Sequence, residues 1–410
     1  MRGRLYERQP EDARGGSSLP GAGTRGKGQL DIWKHTGRFC LAAFFMDLAL
    51  GMYMVAIPFL SMSLGAESKI LGYLGATRGL SYGLSCLAVA FFLLERYKRL
   101  TLIAFGCLTT ILMFWATALS GELWHLFPVA IFWGMAVSLF WPALFAWMGG
   151  THSNEKLGTA IGVVNLGWSA GIMAGAFIGG ILFKIAPWIP FAVATIPAAV
   201  AYAIMLFSPR EKPAEKEETS DGQERSGSKA KLAAAWLGCL SMSCLTGLMM
   251  SVFPRLGTDM GIDVSKFGFL VSIAGTGRTI MFALSMVKGS VFRDWRFSAV
   301  AQAAAVVMVA TICRAESYWW MGCVYAVLGV TFASTYYRSL YTSLEGAGSK
   351  GFRGAVHEAV LFAGILIGSV GGGELADRLN LRSPYVPIAG FVLLLNAVQI
   401  VLALKARKKG

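Results

Sequence analysis

Charged residues are scarce in this sequence. Asp, Glu, Lys and Arg make up only 15% of the 410 residues, whereas 55% are hydrophobic and the mean hydropathy is +0.57. A soluble protein of this length needs more charge than this to cover its surface. The composition therefore predicts an integral membrane protein. The formal net charge of +14 is then a matter of membrane topology and does not indicate a nucleic-acid-binding surface.

Residues typical of enzyme and metal sites are also few. The chain has only four histidines, and its seven cysteines lie almost all within apolar runs without metal-ligand spacing. It contains no GxxxxGK[ST] motif for ATP binding. We therefore predict no enzymatic activity, no catalytic residue, no metal and no cofactor. Residues 1–35 have no apolar core or cleavage pattern, and we predict that they form a disordered cytoplasmic tail.

Twelve apolar stretches are long enough, at about 20 residues, to cross a bilayer as helices. They lie at 38–62, 70–93, 100–120, 126–148, 157–182, 188–207, 233–254, 267–287, 297–313, 317–340, 353–375 and 384–404. The longest polar interruption, 208–231, is predicted to be a solvated cytoplasmic linker. Most Lys and Arg residues fall on the same side as both chain ends, so the positive-inside rule predicts cytoplasmic termini.

The chain contains an internal repeat. The fifth stretch carries Gly171, Gly175 and Gly179 on one helix face, and a shift of 193 positions places the eleventh stretch's glycines on them (Gly364, Gly368 and Gly372). Such a repeat is typical of a transporter built from two similar halves. We therefore predict an all-α membrane protein with twelve transmembrane helices in two six-helix pseudo-symmetric bundles. The predicted domains are the tail 1–35, the N-terminal bundle 36–207, the linker 208–231 and the C-terminal bundle 232–406.

These features resemble the major facilitator superfamily over residues 35–405. Gly167, Gly171, Gly175 and Gly179 match the family's fifth-helix motif, with Ala176 in place of its usual Pro. The loop after the second span, Leu94-Glu95-Arg96-Tyr97-Lys98-Arg99, is similar to the family's gating loop, which makes Glu95 and Arg96 gating candidates. The resemblance implies alternating access by a single chain around a central cavity. Spans 2, 5, 8 and 11 would form the seam between the bundles, and the glycine ladders of spans 2, 5 and 11 fit such a seam. The alternative, that these glycines serve close packing of helices that never slide, stays open.

Charged side chains inside the apolar stretches are the main functional candidates, because each costs at least ~2.5–3.5 kcal/mol at a helix centre. Asp47 in the first span and Arg78 in the second each lie about nine residues from the start of their span, near the middle of the membrane. Adjacent helices would allow the two to pair. Two interpretations stay open: a structural ion pair, or a proton-coupling site in which Asp47 exchanges a proton as the pair breaks.

Arg278 lies near the middle of the eighth span, and neither that span nor the seventh holds an acidic residue to neutralise it. A guanidinium facing a wet cavity suits a carboxylate or phosphate through paired hydrogen bonds. The alternatives are pairing with Asp47 across the cavity and a structural role.

A second charged pair is predicted between the tenth and eleventh spans. Arg338 lies near the cytoplasmic end of its span, with Glu358 as the expected partner, so that the two would form a structural pair or a cytoplasmic gate. His357, beside Glu358, is expected to be solvated near the helix end.

Uncharged side chains complete the predicted substrate-binding set. Asn165 is polar amid apolar neighbours in the fifth span, and Tyr82 is the repeat counterpart of Arg278. Trp141 and Tyr336 fall on matching repeat positions. We expect these four to line the cavity with Arg78 and Arg278, while the alternative that the aromatic rings serve helix packing alone stays open.

The predicted function is secondary active transport of a small anionic solute by alternating access, coupled to protons at Asp47. Two alternatives remain: proton-coupled efflux of a hydrophobic or cationic compound, and a non-transporting sensor or assembly protein on a transporter scaffold. The expected partners are a small-molecule substrate, protons and membrane lipids, with no nucleic acid. The expected location is the plasma membrane, which would be the inner membrane of a bacterium.

Overall fold

The computed structural model describes residues 22–151, 154–208, 226–345 and 350–409, and these residues form fifteen α-helices and no strand. The helices are α1 (Ala22–Ser63), α2 (Ser68–Ala88), α3 (Arg99–Ala118), α4 (Leu126–Ser138), α5 (Trp141–Thr151), α6 (Asn154–Ile185), α7 (Ile189–Leu206), α8 (Ser226–Ser251), α9 (Phe253–Asp259), α10 (Val264–Val287), α11 (Gly289–Arg293), α12 (Trp295–Ala310), α13 (Tyr318–Glu345), α14 (Lys350–Arg378) and α15 (Tyr385–Lys409). A π-helical stretch, Val89–Leu93, continues α2.

Eleven helical stretches among the described residues are long and apolar enough to cross a membrane. They coincide with eleven of the twelve predicted spans, the fourth being formed by α4 and α5 together. The one predicted span without such a stretch is the tenth, and the 28-residue helix α13 lies there. It is less apolar because it carries many Ser, Thr and Tyr residues, several of which bond back to their own helix, as Ser343 Oγ does to the Ser339 carbonyl at 2.8 Å. The all-helical, twelve-span fold is thus confirmed.

Two predicted polar segments are shorter than expected. Helix α1 begins at Ala22, inside the predicted tail, and α8 begins at Ser226, inside the predicted linker. A helix that has already formed extends at little cost, because each added residue gains a hydrogen bond without a new nucleation step. Residues 1–21 of the tail and 209–225 of the linker lie outside the described residues.

The two halves meet mainly along four helices. Helix α2 packs against α14, and α6 packs against α10. Close approach depends on glycine: a Cβ on Gly72 would collide with the Ser369 carbonyl oxygen, and one on Gly79 would lie 3.1 Å from that of Phe362. Spans 2, 5, 8 and 11 therefore form the seam, as the family resemblance implies.

The glycine ladders of the fifth and eleventh spans do not face that seam, which corrects the expectation. Gly171, Gly175 and Gly179 of α6 pack against Phe44, Leu48 and Met52 of α1, inside the N-terminal half. Their repeat counterparts on α14 pack against α8 at the positions that a shift of 196 assigns. These contacts join Gly364 to Leu240, Gly368 to Cys244 and Gly372 to Leu248. The seam face of α6 is a different one, because glycines spaced by four residues occupy a single stripe of a helix.

Candidate functional site

A cavity of about 100 Å³ lies between the two halves. Its charged lining residues are Asp47 of α1, Arg278 of α10 and Glu358 of α14. Aromatic rings supply much of the remaining wall, contributed by both halves. The cavity holds water-sized groups but is smaller than the roughly 300–1,000 Å³ typical of ligand pockets, so a larger solute requires the walls to move apart.

Arg278 is held in the cavity by aromatic faces. Its guanidinium carbon lies 4.9 Å from the ring centroid of Trp168 and 5.5 Å from that of Phe332. Its Nε is buried without a hydrogen-bond partner, and no described residue forms a salt bridge with this side chain. Cation–π contacts fix the position of the guanidinium and leave its N–H groups available.

Asp47 is the acidic group that faces Arg278. It is 1% exposed, and its Oδ2 has no hydrogen-bond partner within the part of the chain that the structure describes. The positive charge of Arg278 attracts the Asp47 carboxylate, and the negative charge of Glu358 repels it. A buried carboxylate oxygen without a donor is rare in native structures and marks a position for a proton, a water molecule or a ligand.

The predicted pair between Asp47 and Arg78 is wrong. The Arg78 guanidinium lies 5.8 Å from the ring centroid of Tyr53 and lines a second cavity of about 80 Å³. The two cavities share walls, among them Trp133 and Phe362. Sequence position gives the depth of a residue in the membrane but not the side of the helix on which it points, and the cation opposite Asp47 comes from the other half of the chain.

Glu358 belongs to the cavity and does not pair with Arg338. Its carboxylate accepts hydrogen bonds from Tyr82 Oη at 2.8 Å and from Tyr336 Oη at 3.0 Å. Arg338 instead donates from Nη1 to Ser298 Oγ at 3.2 Å. Residues two apart on a helix point to nearly opposite sides, so Tyr336 and Arg338 of α13 cannot both face Glu358.

His357 is buried, contrary to the expectation of a solvated side chain. Its Nδ1 lies 2.9 Å from Ser339 Oγ, and its Nε2 lies 3.7 Å from Glu358 Oε1. The imidazole also packs edge-on against the Tyr336 ring, at 4.8 Å between centroids. His357 therefore contacts Glu358 but is not among the residues that line the cavity.

The uncharged candidates are divided by the structure. Tyr82, Trp141 and Tyr336 line the central cavity, whereas Asn165 does not. Asn165 is fully buried, and neither of its amide atoms has a hydrogen-bond partner among the residues that the structure describes. The shift of 193 that aligns the glycines also makes Asn165 the repeat counterpart of Glu358, although only Glu358 lines the cavity.

Four ring-bearing residues of the cavity are not in the predicted binding set: Trp133, Trp168, Phe332 and Phe362. Trp168 is central among them, with ring centroids 4.9 Å from Tyr336 and 6.1 Å from Trp141. The signal for it was its position one turn from Asn165 on the fifth span. The gating candidates Glu95 and Arg96 are exposed beyond the π-helical stretch, and their role stays a prediction.

Tyr82→Phe is expected to loosen the contact between the halves, whereas Tyr336→Phe is not. Both hydroxyls donate to Glu358, but only that of Tyr82 comes from the other half. A hydrogen bond to a charged group contributes about 1.5–3 kcal/mol, so its loss moves the open–closed balance by tenfold or more. Spin labels in the loop 94–98 and at the start of α14 would show a longer distance only in Tyr82→Phe. Equal distances in the two variants would contradict this role.

Comparison with known proteins agrees with this architecture. The chain is similar in fold to the human organic anion transporter MFSD10 (TETRAN), with a TM-score of 0.67 and 14% identity over 89% of this chain and 98% of that one. The nucleoside transporter NupG gives a TM-score of 0.67 and 10% identity over 90% and 98%. A bacterial homologue of the human lysosomal transporter Spinster, inward-facing and unoccupied, gives 0.64 and 14% over 93% and 97%.

At these identities the structural likeness shows the fold alone. No curated protein sequence matches the chain. The sequence model of one family, however, matches residues 39–356. This chain belongs to the Major Facilitator Superfamily.

Proposed function

We propose that this transporter moves a small organic anion with a flat apolar part, together with a proton. The observation that carries the proposal is Arg278, whose guanidinium rests on Trp168 and Phe332 and has no hydrogen-bond partner among the described residues. A carboxylate accepts two parallel hydrogen bonds from such a group, and an attached ring packs against the aromatic wall. MFSD10 is described as an organic anion transporter, but the proposal rests on the site of this chain.

Asp47 supplies the coupling because it competes with the substrate for Arg278. When Asp47 is ionised, it neutralises the guanidinium and repels an anion. When Asp47 is protonated, the charge of Arg278 is free for the substrate. Proton and anion therefore bind together, and anion affinity rises as the pH falls.

The transport cycle follows from the two-half construction. The bundles 36–207 and 232–406, joined by the linker 208–231, rock about the cavity and expose it to one side of the membrane at a time. The protein acts as a monomer and as a transporter without enzymatic activity. It lies in the plasma membrane, in a bacterium the inner membrane, with both termini in the cytoplasm and lipids as its surroundings.

A second candidate, efflux of a hydrophobic or cationic compound, is favoured by one observation. The central cavity holds two carboxylates, Asp47 and Glu358, against the single guanidinium of Arg278. With both acids ionised, the local charge balance favours a cation, and a protonated amine would take the place of the proton on Asp47.

Benzoate and benzylamine distinguish these candidates, because they share a ring and differ in the sign of charge. We expect benzoate to raise the Tm of the purified protein more strongly at pH 5.5 than at pH 7.5, since a ligand at 100 times its Kd stabilises by about 2.7 kcal/mol. Proteoliposomes should then accumulate benzoate under an inward proton gradient. Stabilisation by benzylamine alone would support the efflux candidate, and binding without flux would support a non-transporting sensor or assembly protein.

Asp47→Asn is expected to remove the pH dependence of anion binding and keep the affinity at its low-pH value. The amide has nearly the shape of a protonated carboxyl but cannot neutralise Arg278. Benzoate titrations of the wild type and the variant across pH 5–8 check this. Glu358→Gln tests the other carboxylate of the cavity, and we expect this variant to keep a pH-dependent affinity because its Asp47 can still exchange a proton. An unchanged pH profile in Asp47→Asn would remove Asp47 from the coupling.

A further inference from the structure

We propose that the lipid-facing surface around α3 binds one anionic phospholipid, with one acyl chain on each side of Phe105 and the phosphate at Arg96 and Lys98. The site is separate from the transport cavity. Two adjacent grooves, a shared ridge and a basic loop at one end carry the proposal.

The first groove, of about 490 Å³, runs between α2, α3 and α4. Its walls include Phe92, Leu112 and Phe132, each more than half exposed, and its polar lining is limited to a few hydroxyls. The π-helical stretch Val89–Leu93 forms part of the wall. Such stretches are rare and are often found at functional sites. The groove therefore suits a hydrocarbon chain.

The second groove, of about 430 Å³, runs along the other side of α3, towards α7. Its lining includes Leu108, Tyr202 and Leu206 and also Lys98, which directly precedes α3. Phe105 lines both grooves and is 55% exposed, so its ring is a ridge between them. Two channels separated by one side chain match the two chains of a phospholipid.

The basic residues lie where the headgroup of such a lipid would be. Arg96 and Lys98 are exposed in the loop before α3, and Arg99 is the first residue of that helix. From Arg99 to Leu112 the helix rises by about 20 Å, more than the roughly 15 Å of one hydrocarbon leaflet. A phosphate at the loop thus places its acyl chains along the grooves. A zwitterionic lipid fits the same grooves but binds the loop more weakly, because a Lys or Arg near the membrane surface attracts mainly anionic lipids.

The test is native mass spectrometry of the full chain released from nanodiscs that contain equal amounts of phosphatidylglycerol and phosphatidylcholine with identical acyl chains. We expect one retained phosphatidylglycerol per protein. Arg96→Gln and Lys98→Gln should each reduce its retention about fivefold. Ala104→Phe, which fills the second groove, should remove the lipid without changing the charge.

Two matched controls are available. Lys288→Gln removes an exposed lysine from the loop after α10, the repeat counterpart of the loop before α3. Ala304→Phe adds the same ring to an exposed position on α12. Both should retain the lipid as the wild type does. Equal retention of the two lipids by the wild type, or losses in the controls that equal those in the site variants, would overturn the proposal.

Discussion

Arg278→Gln is expected to weaken benzoate binding by at least about 30-fold, the equivalent of roughly 2 kcal/mol. Among the described residues that line the central cavity, Arg278 is the only cation, so the variant leaves the carboxylate of the ligand near Asp47 with no compensating charge. The aromatic faces of Trp168 and Phe332 remain, so that the apolar part of the ligand still packs. The loss therefore isolates the electrostatic contribution. Isothermal titration at pH 5.5 measures it.

Two further variants test whether the loss of binding is specific to the guanidinium of Arg278. Arg278→Lys keeps the charge but loses the paired hydrogen bonds and should fall between the wild type and Arg278→Gln. Arg78→Gln removes a cation from the neighbouring cavity, where the guanidinium lies over Tyr53, and should change binding far less. If Arg78→Gln weakens benzoate binding as much as Arg278→Gln does, the anion site does not centre on Arg278.

Gly175→Ala and Gly368→Ala are expected to lower the Tm sharply. A Cβ at Gly175 would collide with the Leu48 carbonyl oxygen of α1, and one at Gly368 with that of Cys244 in α8. Backbone atoms cannot rotate away as a side chain can, so one helix has to move. Overpacking lowers the free energy of unfolding by about 1–3 kcal/mol, and we expect a larger loss where the added atom meets backbone. Thermal unfolding in detergent, followed by intrinsic fluorescence, provides the measurement.

Gly390 offers the control for this effect. It lies in α15, and a Cβ there would meet nothing within 4 Å. Gly390→Ala should leave the Tm unchanged or raise it, because alanine gains up to about 1 kcal/mol of helix propensity over glycine. Similar losses at Gly175 and Gly390 would mean that helix propensity, and not close packing of α6 on α1, determines stability.

The fold could be predicted from the sequence because hydropathy identifies the membrane spans and the spacing of the glycines identifies the repeat. The sequence also predicts the span of α13, although its buried Ser, Thr and Tyr residues keep this helix out of the eleven that are apolar enough to cross a membrane by composition. The direction of the glycine ladders could not be predicted. A ladder shows that a close neighbour exists, and it does not say whether that neighbour is α1 in the same half or α10 in the other.

The sequence predicts which charged residues belong to the site, but it does not predict which of them face one another. Asp47 and Arg278 were identified because a charge in an apolar span needs an explanation, and depth alone placed both near the membrane centre. Their partners depend on helix rotation and on contacts between the halves, which hydropathy does not record. Hence Asp47 was paired with Arg78, and Glu358 was assigned to Arg338. The repeat shift makes Asn165 the counterpart of Glu358, but it does not predict that only Glu358 lines the cavity.

If the ionised Asp47 and the anion compete for Arg278, binding of the anion must bring a proton onto Asp47, and counting that proton tests the proposal. Isothermal titration of benzoate into the purified protein, repeated in buffers of different ionisation enthalpy, gives the number of protons taken up for each anion bound. We expect an uptake approaching one proton in the wild type at pH values where Asp47 is ionised before binding, and none in Asp47→Asn. Binding of benzoate without proton uptake in the wild type, or with the same uptake in both proteins, would contradict it.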